Sequence, residues 1–187
     1  MENASYAGIT RQQGLMAEMR TIANNIANAS TTGFKAEEVM FSEYIKKLGG
    51  DFPSLSMATA EVRNTVQTQG GLAQTGGPFD LAIEGEGFFL VETPNGERLT
   101  RAGSFTPNGD GDLVTMDGYP VLDAGGAPVF IPQGAGEVGI APDGTISAGG
   151  NPIGQIGLVV PADPLKMTRE GGTLFNPQGE FDAAIDG

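Results

Sequence analysis

Proline is missing from the first 50 residues, and all 12 prolines fall after them. Glycine divides the same way, five before that point and 25 after it. Proline removes a backbone donor and breaks a helix interior, so a long helix fits only the first stretch. Beyond it, Gly and Pro between short apolar runs call for short strands joined by tight turns. Two regimes in one chain of 187 residues predict two structural jobs.

Charge divides with them. The first 50 residues hold five basic and five acidic side chains. The whole chain has 10 Lys+Arg against 23 Asp+Glu, so the second regime carries the entire net charge of −13. That balance argues against nucleic-acid binding, which needs clustered Lys and Arg. Cys, His and Trp are all absent. Without them there is no disulfide framework, thiol nucleophile, imidazole base or His- or Cys-ligated metal. No stretch approaches the ~20 apolar residues of a membrane-spanning helix, and the N-terminus shows no secretory leader pattern.

Ile9, Met16, Met19, Ala23 and Ile26 recur at spacings of seven, three, four and three, which places them on one helix face. Ile22 and Ala29 widen the stripe. Asn3 or Ser5 is the expected N-cap, and Ser30-Thr31-Thr32-Gly33 the stop. Phe41, Tyr44, Ile45 and Leu48, closed by Gly49-Gly50, predict a second, short helix. The first helix carries Asn24, Asn25 and Asn28, poor formers in an interior. Alone it would be marginal in water. It needs a covering surface, either the chain's own β domain or other chains.

The second regime reads as β. Residues 51–75 read as an extended linker with some strand. Asp80-Leu81-Ala82-Ile83-Glu84 alternates, and Phe88-Phe89-Leu90-Val91 suits a strand covered on both faces. Asn95-Gly96 and Asn108-Gly109 are hairpin signals. Gly125-Gly126, Asp117-Gly118 and Asp143-Gly144 mark further turns. The expected fold class is mainly β with an N-terminal helix: a compact meander or barrel-like β domain plus a long helix used for assembly. The expected divisions are 1–35 (core helix and turn), 36–75 (short helix and linker) and 76–187 (β domain).

Chemical motifs fail one by one. A calcium loop opening at Asn108 would need Gly at its sixth position and Glu at its twelfth, where Leu113 and Tyr119 stand. Gly85-Glu86-Gly87 lacks the Lys and the following helix of a phosphate loop. Paired carboxylates for glycoside hydrolysis occur by chance among so many acids, with no Trp to stack a sugar. A charge-balanced helix without Trp does not suit a membrane surface. By elimination the residues describe a structural or interaction protein, with no catalytic, cofactor or metal constellation. An independent acidic β binding module is the alternative of another class.

Two segments carry a resemblance. Met1-Glu2-Asn3, followed by Ala23-Asn24-Asn25-Ile26-Ala27-Asn28-Ala29-Ser30-Thr31-Thr32-Gly33-Phe34-Lys35, resembles the N-terminal signature of the flagellar axial proteins. Gly76-Gly77-Pro78-Phe79-Asp80-Leu81-Ala82-Ile83-Glu84-Gly85-Glu86-Gly87-Phe88-Phe89-Leu90-Val91, followed by Leu99-Thr100-Arg101-Ala102-Gly103-Ser104-Phe105, resembles the domain shared by its rod and hook branches. Met1-Glu2-Asn3, Ile9-Thr10-Arg11-Gln12 and Phe41-Ser42-Glu43-Tyr44 look most like the proximal rod branch, with the distal rod branch or another axial protein as the alternative.

The resemblance implies a basal-body rod subunit that polymerises helically, transmits torque and forms the export-channel wall. It implies export by the flagellar type III apparatus without a cleaved signal, and a place in the periplasm-spanning rod. The implied partners are copies of itself, neighbouring rod proteins and the surrounding rings, with no nucleic acid, membrane insertion or small-molecule substrate. Ile9, Met16, Met19, Ile22 and Ile26 would face neighbouring helices, with Asn24, Asn25 and Asn28 making register-fixing polar contacts. Thr32, Gly33 and Phe34 would turn the chain from inner core to outer layer. Asp80, Ala82, Gly85, Gly87, Phe88, Phe89, Arg101, Gly103 and Phe105 form the β-domain signature. The family also implies a C-terminal helix, for which the residues up to Gly187 carry no pattern.

Overall fold

A computed structural model describes the backbone of residues 2–46, 55–66 and 68–184, and the side chains of 8–40, 65–66 and 68–184. The chain divides into two compact units. One joins Met1–Ser30 to Lys35–Val66; the other joins Thr31–Phe34 to Gln67–Gly187.

The first unit is a helix on a hairpin. α1 (Glu2–Ala27) begins early enough that Asn3 and Ser5 lie inside its first turns rather than at its cap. It packs on the antiparallel pair β1 (Glu37–Lys46) and β2 (Leu55–Thr65). The pair slips register at Met40/Phe41. β1 corrects the expected short helix: Phe41, Tyr44 and Ile45 lie in a strand, and Leu48 to Gly50 lie outside the described residues. Three apolar residues within five positions fit either period. The aromatic and β-branched content, together with an 11-residue antiparallel partner, decides for strand.

The face that α1 turns to the hairpin is small and polar. Gly14 and Thr21 are buried, and Ala17, Glu18, Asn24, Asn25 and Asn28 half-buried.

The second unit holds the core. Its strands are β3 (Phe88–Thr93), β4 (Gly96–Thr100), β5 (Phe105–Pro107), β6 (Leu113–Thr115), β7 (Val138–Ile140), β8 (Thr145–Ala148), β9 (Asn151–Gln155), β10 (Leu158–Pro161), β11 (Thr168–Arg169), β12 (Leu174–Asn176) and β13 (Phe181–Ala183). Among the described residues they form a six-stranded sheet in the order β11-β12-β4-β3-β10-β13, a three-stranded sheet β7-β8-β9 and the pair β5-β6. The architecture is mainly β with a curled, half-barrel sheet, as the sequence predicts. The Asn95-Gly96 signal closes the β3–β4 hairpin, with Gly96 at φ 95° supplying the left-handed residue after the turn.

β3 is central, and its alternation serves two cores. Phe89 and Val91 enter a cluster with Ile83, Phe105, Leu113, Val121 and Ile146. Phe88 and Leu90 point to the other face and join Leu99, Leu122, Val159, Met167 and Phe175. A strand covered on both faces reads as a continuous apolar run, which explains the four consecutive buried residues from Phe88 to Val91.

Candidate assembly surface and the signature residues

Burying its polar face leaves α1 with its apolar stripe outside. Met19 and Ile26 are 70% and 71% exposed, and Ile9, Met16 and Ile22 about half. Leu15 is half-exposed too, four residues before Met19 and seven before Ile22. Its position was readable from the 3.6 period, and it belongs to the stripe although the sequence reading passed it over. The stripe is thus an apolar helix face that its own chain leaves uncovered.

The asparagines look inward. The Asn25 amide donates to the Glu37 carbonyl at 2.8 Å, and its oxygen accepts from the Glu37 N–H at 3.1 Å. One side chain thereby stands in for a strand partner at the start of β1. Asn28 donates to the Asn24 carbonyl at 2.9 Å and to the Asn24 side chain at 3.1 Å. Both groups have partners within their own chain.

The turn residues belong to the β unit. The Phe34 N–H donates to the Thr31 carbonyl at 3.1 Å. Gly33 adopts φ 71°, and a Cβ there would overlap the peptide between Arg101 and Ala102. No other residue fits that close approach in a left-handed conformation.

The β-domain signature falls into three groups. Arg101 is 8% exposed and donates to the Gly85 carbonyl at 2.7 Å and the Ile83 carbonyl at 3.4 Å, with its guanidinium 5.2 Å from the Phe88 ring centre. It ties down the Gly85–Gly87 turn, where both glycines have positive φ. Burial lowers the Arg101 pKa, and the Glu86 carboxylate partly opposes the shift; a guanidinium keeps its charge regardless. Phe89 and Phe105 meet edge to face at 5.1 Å. Gly103 lies against the Leu81 carbonyl, and the backbone bonds of Leu81 and Phe105 lock this crossing. Asp80 bridges to Ser104, and its carboxylate accepts from the Thr75 hydroxyl at 2.8 Å. Ala82 is exposed beside them. These residues build the scaffold rather than a reactive site.

The Asn108 tip is closed by its own chain. Its side-chain oxygen accepts from the N–H groups of Asp110, Gly111 and Asp112 at 2.8–2.9 Å. Among the described residues no group of three acids is arranged to hold a metal ion.

Arg169 is the residue that the sequence reading missed. Its guanidinium lies 4.5 Å from the ring centre of Phe34 and also 4.5 Å from that of Phe175. No motif contains it; only the scarcity of basic residues in the β half sets it apart.

Comparison with known proteins falls on the same segments. A family model described as Flagella basal body rod protein matches residues 6–35, and one described as Flagellar hook protein FlgE/F/G D1 domain matches residues 82–148. The chain belongs to the flagellar rod and hook family, whose members are structural proteins of the flagellar axis. Within it, the chain is 44% identical to the flagellar basal-body rod protein FlgF of Caulobacter vibrioides, over 99% of this chain and 79% of that protein. It is 42% identical to FlgF of Rhizobium meliloti, over 84% of this chain and 65% of that protein. It is 32% identical to the basal-body rod protein FlgG of Bacillus subtilis, over 94% and 73%. The chain thus spans just under two thirds of the Rhizobium protein's length.

Proposed function

We propose that the chain is a basal-body rod subunit of the FlgF branch that polymerises through the apolar stripe of α1. The carrying observation is the inversion of the helix: its polar face is covered by its own hairpin and its apolar face is left open. Burying the stripe between copies would supply a driving force of about 25 cal/mol per Å² of apolar surface. Self-association through unlike surfaces that do not close yields a filament, as a rod requires.

On this reading the partners are copies of the chain, neighbouring axial proteins and the rings around them. The subunit helps transmit torque and wall the export channel, and is exported into the periplasm-spanning rod by the flagellar type III apparatus. It performs no catalysis. The FlgG reading is secondary, since identity to the FlgF relatives is higher.

The test is the full chain with Met19→Asp and Ile26→Asp together, introduced into a flagellated cell lacking its own subunit. Both sites are exposed and lie outside the β unit, so the urea midpoint of the β transition should stay within about 0.5 kcal/mol equivalent of the parent. Swimming and rod assembly should be lost. Leu165→Asp, at an equally exposed site on the β unit, should swim normally. A stripe variant that assembles and swims like the parent refutes the proposal.

A further inference from the structure

Between α1 and β1 the chain makes a short excursion. Thr31–Phe34 packs with the β unit, while the segments on either side, up to Ser30 and from Lys35, pack with each other. Two contacts hold the excursion. Gly33 lies against the Arg101 carbonyl and the Ala102 amide. The Phe34 ring lies 4.5 Å from the Arg169 guanidinium.

Those two contacts are the ends of one ladder. Arg169 lies over Phe175, which is fully buried. Phe175 meets Phe88 edge-on, with ring centres 5.8 Å apart. Phe88 carries the Arg101 guanidinium at 5.2 Å, and the Arg101 backbone returns to Gly33. Residues adjacent in sequence, Gly33 and Phe34, therefore close a ring through Arg101, Phe88, Phe175 and Arg169. Arg169 is itself braced, its Nη1 donating to the Gly172 carbonyl at 2.8 Å.

We infer that Arg169 is a positioning residue that clips Phe34 to the β unit, so that Thr31–Phe34 is held as part of that unit instead of running as a slack linker. The flat guanidinium is what permits contact with two rings at once; an ammonium is a point charge and does not replace it. The clip stands on geometry alone. Its mechanical consequence rests on the rod-subunit reading: a subunit under torque needs the chain that leaves its helix to stay held on the β unit, and Phe34 is held there.

The experiment is hydrogen exchange on the full chain, comparing the parent with Phe34→Ala, Phe34→Tyr, Arg169→Ala and Arg169→Lys. Phe34→Ala, Arg169→Ala and Arg169→Lys should each speed exchange over residues 31–36 by about tenfold or more, while the core amides of Leu99 and Val121 stay protected. Phe34→Tyr should retain the parental pattern. Unchanged exchange over 31–36 in the alanine variants overturns the clip. So does a uniform loss of protection across the β unit, or full protection in Arg169→Lys.

Swimming in viscous medium, in a strain lacking its own rod subunit, separates the two readings. A parent chain that fails to restore motility refutes the rod reading and leaves the exchange result on the clip standing. Clip-broken variants that swim as strongly as the parent overturn the mechanical role.

Discussion

Gly103 has room for a hydrogen and nothing larger. A Cβ there would overlap the Leu81 carbonyl and press the Phe89 ring from 3.1 Å. Gly103→Ala should therefore cost about 3 kcal/mol, because the crossing of residues 79–81 with 103–105 must open. Gly109, where an added Cβ would meet nothing within 4 Å, is the control; Gly109→Ala should stay within about 0.5 kcal/mol. Urea midpoints of the two variants decide it, and equal midpoints would remove the close-approach argument. The sequence marks Gly103 only through the resemblance of Arg101-Ala102-Gly103-Ser104-Phe105 to a known segment. The physical cause, a carbonyl from a strand-like segment about 20 residues earlier, is set by tertiary pairing. Asn25 and Arg169 teach the same lesson from opposite sides. Asn25 stood out as a poor helix former, yet its partner Glu37 could not be read from spacing. Arg169 stood out in no pattern at all.

At the scale of elements, periodicity told which residues share a face and not what covers it. The stripe from Ile9 to Ile26 is as spaced, but it faces away from the hairpin. β1 was lost to a coincidence of periods over a short apolar run, whereas β3, a longer run flanked by glycines and an Asn-Gly turn, was legible. One tie between elements carries a pH signature. Arg98 on β4 forks onto Glu170, just beyond β11, at 2.6 Å and 3.3 Å, and Asn176 on β12 donates to the same carboxylate at 2.8 Å. The Arg98 bond first, and then Asn176, hold the Glu170 pKa below its ordinary value. A depressed folded-state pKa stabilises above the unfolded value, about 4.3 for Glu, and the gain is lost as pH falls through the folded value. The parent should therefore exceed Glu170→Gln in urea midpoint at about pH 6–7, with the gap closing below about pH 4. A gap that persists undiminished in acid would show that the tie is not ionic.

At the scale of the whole molecule, hydrophobic burial among the described residues is lopsided. Every buried apolar side chain among the described residues lies at Ile83 or later. α1 rests on a two-stranded hairpin through small and polar groups, and both such elements are marginal on their own. The isolated chain should consequently unfold in two steps, losing helical circular dichroism at a lower temperature than the β signal. Coincident transitions by both probes would mean that the two units stabilise each other. The composition boundary near residue 50 separates two regimes of sequence, whereas the division in space follows contacts, with Thr31–Phe34 in the β unit and Lys35–Val66 in the other.

That division has a genetic corollary. Neither unit is a continuous stretch of chain: the β unit takes residues 31–34 before it resumes at 67, with β1 and β2 threaded between. The rod-protein match ends at residue 35 and the D1 match begins at 82, so the hairpin falls in neither. Modules laced together in this way do not recombine by a single crossover. A breakpoint anywhere between Phe34 and Gln67 would carry the β unit to a new host without the segment that its Arg169 grips. Exchanging β units between rod and hook relatives would therefore require two grafts, one of them only four residues long.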